Sequence, residues 1–529
     1  MKITQSSWAA VAAALLVAAC GGGDGGNAGS TNATPARGAL MQSPPVRTVS
    51  LTAADFAAEL QAAGASGQLL LQLATGSATG TLACGVDVQY IKYGTVGAKG
   101  EATDASGALI VPTGSNAKCT GARPIVLYAH GTNITKSYNL ANITDETNQA
   151  FSEAVLLSAL YAAQGYIVVA PNYAGYDSSS LSYHPYLNAD QQSKEMIDIL
   201  AAAKTALPTL MNPTTASAKL FVTGYSQGGH VAMATHRAMQ AAGIPVTASA
   251  PMSGPYALAA QSDATFYGMV NAGSTIFTPM IFGSYQQAYG NLYSTPADIY
   301  ESTYATGIES LLPGAYDFTS VVTSGKLPQL ALFNSTPPAA AFAAITPPTG
   351  TGATDALFAM GFGTSNLIKN SVRLAYLADA AAHPDGIFPS VPNGGAPINS
   401  GMPATATAAN TLRIAAAKND LRGWSPQAPV LLCGGNGDPT VFYSLNTSVM
   451  GMLWAPQVAA HLVTLLDVDS AVTGASDPFA AAKVGFAQTK AAMAAAAGAN
   501  AAAVVTGSYH GTLVPPFCNA AARGFFSQF

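Results

Sequence analysis

Short unbroken apolar runs alternate with longer stretches in which apolar residues recur every three or four positions, and this rhythm lasts through the first half of the chain. Pro124 to Ala129, Tyr166 to Ala170, Leu220 to Thr223 and Val246 to Met252 are runs of the first kind, which belong to strands covered on both faces. Between them, residues 148–164 carry Phe151, Ala154, Leu157, Leu160 and Tyr161 near helical spacing, and residues 190–207 read the same way. Upstream, Val86 to Tyr93 and Gly107 to Pro112 are β-rich and separated by polar turn residues, as in an antiparallel hairpin. Thr52 caps an earlier helix that is expected to run to about Gly64. Strand, helix, strand, helix, strand, helix in this order predicts an α/β fold with a doubly wound, mostly parallel sheet and right-handed crossovers.

From about Tyr256 to Gly423 the buried β runs disappear. Helical stretches broken by Pro and Gly replace them, at Asp298 to Leu312, Leu357 to Met360 and Ser371 to Ala382. An insertion of this size between sheet strands reads as a helical cap or lid over residues 256–423, whose aromatics Phe266, Tyr267, Phe277, Phe282 and Tyr285 form its core or the roof of an acyl site. The sheet resumes at Ala428 to Cys433, a helix follows over residues 478–497, and Ala502 to Thr506 is expected to be the last strand. The core thus comprises residues 51–255 and 424–529.

Composition adds a compartment. With 9% charged residues and a net charge of -5, the chain carries no nucleic-acid footprint. Its start has a short basic region, an apolar stretch from Trp8 and small residues before Cys20, which is an export signal over residues 1–19 and too short to span a membrane. Val17-Ala18-Ala19-Cys20 resembles the lipobox of bacterial lipoproteins, and that resemblance implies cleavage before Cys20 and acylation of its thiol; the alternative is an ordinary secretory signal. Residues 20–50, rich in Gly, Ser, Asn and Pro, read as a flexible tether spanning about 25 to 30 Å on random-coil scaling. The expected location is a bacterial membrane, the outer one by preference, or the medium. Cys84, Cys119, Cys433 and Cys518 remain, an even number in an exported chain, and the pairing expected among neighbours in sequence is Cys84 with Cys119 and Cys433 with Cys518. No Cys-x-x-Cys or histidine cluster argues for a metal.

The candidate chemistry centres on Gly224-Tyr225-Ser226-Gln227-Gly228, which joins an apolar strand directly to a helix. Gly-x-Ser-x-Gly arises by chance in a chain with 52 glycines, but the strand before it and the helix after it are those of a nucleophile elbow. An acid is needed to hold the partner imidazole, and Gly434-Gly-Asn-Gly-Asp438 delivers one at a strand end, so Asp438 is preferred to Asp467 and Asp469, which read as a loop or cap feature. His510, on the loop expected after the last strand, is the base. His230 and His236 ride the helix after the nucleophile, His383 lies in the cap and His461 lacks a strand-end setting. Two backbone N–H groups must face the developing oxyanion, one from Gln227 and the other expected from Thr132 in the His130-Gly131-Thr132 turn. Tyr225, His130 and Gly131 are expected beside the substrate, with His130 serving chiefly to shape the loop. His184 and Asp177 lie in a Tyr- and Ser-rich loop where they either line the entrance or act as turn residues.

With Ser226, Asp438 and His510 placed in that order, the chain resembles the α/β-hydrolase superfamily. Within it, His130-Gly131-Thr132, Pro171-Asn-Tyr, the elbow, the long cap and Tyr509-His510 look like the secretory lipase group related to fungal lipase A, and its bacterial lipoprotein esterases. The resemblance implies hydrolysis of small-molecule or lipid esters through an acyl-enzyme, with no cofactor. A peptidase or amidase on the same fold and a catalytically silent surface-binding lipoprotein are the alternatives.

Overall fold

The computed structural model describes residues 35–348, 355–383 and 408–529. The signal, Cys20 and most of the expected tether fall outside these residues, as do two parts of the expected cap. Nine strands form one sheet: β1 Val46–Leu51, β2 Gly85–Val96, β3 Ala102–Thr113, β4 Gly121–Ala129, β5 Ile167–Pro171, β6 Thr214–Tyr225, β7 Ala248–Met252, β8 Val430–Gly434 and β9 Val463–Asp467, in the order β1-β2-β3-β5-β4-β6-β7-β8-β9. The first three are antiparallel and β3 runs antiparallel to β5; every later pair is parallel. The apolar runs pair in register, Ile125 with Leu220 and Val222 with Ser249, and Ile125, Val126, Leu127, Val168, Val169 and Val222 are fully buried.

Three crossover helices follow the predicted rhythm: α3 Phe151–Leu160, α4 Ala189–Ala206 and α5 Gln227–Ala241, with α1 Ala53–Ala62 and α2 Gly64–Thr75 ahead of them. Thr52 caps α1 by accepting from the Asp55 N–H, and Gly64 breaks it at φ +69°. Helix α4 packs on α5, while α3 and α2 pack with the C-terminal helix Val514–Phe526. Both disulfides have the expected pairing, Cys84–Cys119 and Cys433–Cys518.

Four expectations are corrected. Residues 46–50, assigned to the tether, belong to β1, and the segment before it lies on the body as well: Arg37 pairs with Asp198 at 3.0 Å and the Met41 N–H donates to the Lys92 carbonyl. Few apolar side chains were needed, because the edge of β2 supplied backbone partners. Residues 502–506 are not a strand but part of the helix Ala501–Ser508; with no neighbouring strand to pair with, an Ala-rich segment satisfies its backbone internally. The closing strand is instead β9, whose residues 464–467 had read as loop or cap, and its edge position explains the exposed Leu465. In the 298–312 region the single expected helix is three short turns, at Pro296–Asp298, Ser302–Ala305 and Ile308–Ser310.

Residues 256–423 have their own apolar cluster, including Phe266, Phe282, Tyr285, Tyr300 and Tyr376, built by α6 Leu258–Phe266, α7 Ser274–Tyr289, and the helices Asn370–Ala382 and Thr411–Lys418. Its polar tie is a buried ion cluster: Arg413 reaches Asp263 at 3.1 Å and Asp379 at 2.8 Å, and the Tyr376 hydroxyl donates to Asp263 at 2.6 Å. Each charge has a partner, which buried charges require.

The sharpest steric demand lies at the end of β6. A Cβ on Gly228 would sit 1.9 Å from the Ala129 carbonyl oxygen, and one on Gly224 2.4 Å from that of Gly228. Both obstacles are backbone, so neither can rotate away. Gly228→Ala is expected to lower unfolding free energy by about 3 kcal/mol or more; a urea midpoint equal to that of the parent protein would contradict this.

Candidate active site

Ser226 stands between β6 and α5 at φ +60°, ψ -121°, a conformation that costs a non-glycine residue on the order of 1–3 kcal/mol. It is held there by its neighbours: its N–H donates to the Met252 carbonyl at 2.9 Å, and the Gly229 N–H donates to the Ser226 carbonyl at 2.8 Å. The side chain is thereby raised clear of the strand at the first turn of α5. Gln227 is the first residue of that helix, so its N–H has no acceptor within the helix.

The Ser226 hydroxyl lies 2.7 Å from His510 Nε2, and His510 Nδ1 lies 2.6 Å from Asp438 Oδ2. The second Asp438 oxygen accepts from the Thr440 and Val441 N–H groups at 2.9 and 3.0 Å, which fixes the carboxylate plane. The three residues placed by chain order therefore meet in one hydrogen-bonded row. With the carboxylate on Nδ1, the imidazole presents Nε2 as acceptor to the hydroxyl, the arrangement needed to withdraw its proton.

His510 reaches this point differently from the expectation. It sits in a π-helical turn, Tyr509–Leu513, between the helix Ala501–Ser508 and the C-terminal helix. Such single turns widen a helix locally and recur at functional sites. The Tyr225 hydroxyl donates to the His510 carbonyl at 2.5 Å, tying the turn to the elbow. The Tyr509 hydroxyl donates to Asp469 at 2.7 Å and accepts from the Gly437 N–H at 3.0 Å. Its ring fills the space where Cβ atoms on Gly435 and Gly437 would sit, which accounts for the glycines of the acid loop. Asp467, at the end of β9, accepts from the Asn436 N–H and side chain in the same loop, so both rivals of Asp438 act as braces for the loop that carries it.

The His130-Gly131-Thr132 turn passes close to the nucleophile: a Cβ on Gly131 would stand 3.7 Å from that of Ser226. Glu153, on α3, accepts from the Gly131 N–H at 3.3 Å and from the Tyr128 and Tyr138 hydroxyls at 2.8 and 2.7 Å. Nothing in the sequence marked Glu153, whose partners lie on β4 and the loop after it. The Thr132 hydroxyl bonds to the Tyr186 hydroxyl at 2.8 Å. His130 lies behind the site rather than beside a substrate. It is fully buried, stacked on Tyr173 and Tyr138 with ring centres at 4.0 and 4.4 Å, and its ring nitrogens face the Gly131 and Asn172 carbonyls. Burial lowers its pKa, opposed by the nearby Glu153 carboxylate and by the two carbonyls. Tyr225 is likewise committed to His510 and buried, not turned toward a ligand.

His184 and Asp177 are structural too. Asp177 accepts from the Tyr90 and Ser106 hydroxyls, each at 2.6 Å. His184 is buried with its pKa pushed down to about 3 by desolvation, so it is neutral; Nδ1 donates to the Ala174 carbonyl at 2.9 Å, leaving Nε2 to accept from the Gln227 side-chain NH2 at 2.7 Å. The Ala174 N–H in turn donates to Glu195 at 2.6 Å.

A cavity open to solvent begins at Ser226 and Gln227. Leu258, Phe266, Phe277, Ile281, Phe282 and Leu412 give it apolar walls, and none of the described residues lining it is charged. Among the described residues no cluster of His, Cys, Asp or Glu is suited to a metal ion.

A β-sheet of this order, wound by helices and carrying its serine on a strained strand-to-helix turn, defines the class: the chain belongs to the α/β-hydrolase superfamily, as a hydrolase of the serine type. Residues 151–247 match the prolyl oligopeptidase family. Among solved structures, a ligand-bound form of the rice cell wall degrading esterase LipA from Xanthomonas oryzae is similar with a TM-score of 0.64 and 24% identity, over 92% of this chain and 98% of that one. Another structure of that esterase gives 0.61 and 26%, over 85% and 95%. A putative hydrolase from Legionella pneumophila gives 0.59 and 19%, over 92% and 97%. No curated protein sequence matches.

Glu195 anchors this region and titrates in an accessible range. Burial raises its carboxyl from 4.5 to about 7, so the folded state holds a proton that the unfolded chain releases. The resulting stability is full below about pH 4.5 and is lost as pH rises through about 7. Relative to Glu195→Gln, which removes the titration, the protein is expected to lose about 2–3 kcal/mol of unfolding free energy over that interval. A difference between the two that stays constant from acid to neutral pH would show that Glu195 does not titrate there.

Proposed function

We propose that the protein is an exported carboxylic ester hydrolase, a serine esterase or lipase, held at a bacterial membrane by a lipid on Cys20. The observation that carries the reading is the row Ser226, His510, Asp438, opening on an uncharged and largely apolar cavity. In this mechanism His510 withdraws the Ser226 proton as the oxygen attacks the ester carbonyl, and Asp438 stabilises the imidazolium. The oxyanion is received by the Gln227 N–H and the Thr132 N–H. Glu153 supports the second assignment, because it engages the Gly131 N–H and leaves the next amide of the turn for the substrate. His510 then protonates the departing alcohol, and water activated by the same imidazole cleaves the acyl-enzyme. The two disulfides accord with maturation in an oxidising compartment.

The match to the prolyl oligopeptidase family favours a second reading, a peptidase or amidase. It spans the segment around the nucleophile, where peptidases and esterases share the same elbow. The cavity favours esters: with no charged group among its described lining residues it offers nothing to a peptide terminus or a charged side chain.

Turnover of p-nitrophenyl esters is expected to fall about 10⁴-fold or more in Ser226→Ala, and paired ester and amide substrates with one acyl group are expected to show strong preference for the ester. Equal turnover by the Ser226→Ala protein would remove Ser226 from the chemistry, and preference for the amide would favour the peptidase.

A further inference from the structure

Two side-chain amides in the cavity wall have one end tied down and the other without a partner. Gln261, on α6, is 7% exposed; its Oε1 accepts from the Asn446 NH2 at 3.0 Å, while its Nε2 has no hydrogen-bond partner. The orientation is dictated by the backbone. Asn446 Oδ1 accepts from the Ala257 N–H at 3.1 Å and its NH2 donates to the Phe442 carbonyl at 3.0 Å, so the NH2 of Asn446 must meet the carbonyl end of Gln261. The NH2 of Gln261, a residue of the cavity lining, is left without a partner in the protein. Gln227 is 1% exposed and oriented by the same logic. His184 Nδ1 is committed to the Ala174 carbonyl, so its Nε2 requires a donor; the Gln227 NH2 supplies it, and Gln227 Oε1 is left unpartnered.

An unsatisfied buried donor and an unsatisfied buried acceptor on two residues that line one pocket are unfavourable unless a bound group meets them. They match a ligand bearing a hydroxyl, which both accepts and donates. Ser262, Thr265, Ser274 and Thr278 of α6 and α7, with Asn271 between the two helices, add further polar groups to the lining.

Building on the ester-hydrolase reading, we propose that Gln261 is a specificity-determining residue whose NH2 donates to an oxygen on the body of the substrate. The preferred substrates are then esters carrying a hydroxyl or carbonyl group in addition to the scissile ester, rather than plain alkyl esters. Gln227 Oε1 favours the hydroxyl over the carbonyl, since only the hydroxyl donates in return.

The test compares kcat/KM within matched pairs on the full chain. On the acyl side, p-nitrophenyl hexanoate is set against counterparts in which a hydroxyl or keto group is moved along the chain. On the alcohol side, butanoate esters of simple alcohols are set against those of diols of equal length. In the parent protein at least one oxygen-bearing substrate is expected to exceed its plain partner about tenfold or more. In Gln261→Leu, and in Gln261→Met as a second variant, that ratio is expected to fall to about one. Labelling of Ser226 by a fluorophosphonate in each variant reports that fold and nucleophile are intact. The proposal is overturned if no pair differs by more than about threefold in the parent protein, or if the ratio persists in a variant that labels normally. Failure of the parent protein to cleave any ester or take the label would instead defeat the ester-hydrolase reading.

Discussion

The structure turns on a collision that is avoided. For the Ser226 hydroxyl to stand free, β6 must pass into α5 within a single residue, and the start of α5 then lies so close to β4 and β7 that a Cβ on Gly228 would meet the Ala129 carbonyl oxygen and one on Gly229 the Met252 carbonyl oxygen. Side chains at these positions would push β4, β6 and β7 apart, and those strands carry the buried centre of the sheet. The positive φ of Ser226 is thus not a local accident. It is held by the rigidity of three parallel strands, and its cost is small beside the burial that fixes them.

Around that point the other members arrive from distant segments by quite different means. Asp438 follows β8 in a loop opened by glycines that Tyr509 fills, and His510 follows Tyr509 directly, so one aromatic ring couples the placement of Asp438 and His510. The Cys433–Cys518 disulfide clamps β8 to the C-terminal helix just past the imidazole. The His130-Gly131-Thr132 turn beside Ser226 is braced by Glu153 and by a buried stack of His130, Tyr138 and Tyr173.

The cavity has two characters. Helices α6 and α7 supply both apolar and polar residues to its lining, and the direction of the Gln227 and Gln261 amides is dictated by backbone groups behind them. This division distinguishes the site from a uniformly greasy groove, and it stems from how residues 256–423 are anchored to the acid side: Asn446, next to the helix Thr447–Trp454, bonds both Ala257 and Gln261.

Much was legible in the chain itself. Apolar runs bounded by glycine and proline marked β4 to β8, since a strand buried on both faces must be apolar at every position. The elbow was legible because its glycines answer a demand made within five residues, and Asp438 and His510 because they follow it in the order this fold imposes. Features that depended on remote partners were not. Residues 463–467 and 502–506 are both short and apolar, yet only the first finds an open strand edge, and the second closes its own hydrogen bonds as a helix. The pairing of residues 46–51 with β2, the reach of Glu153 to the Gly131 N–H, and the turning of Gln261 by Asn446 are likewise decided across long sequence separations. A sequence shows the hydrogen-bonding capacity of each residue, but only the folded chain determines which capacity is already spent and which is left for a substrate.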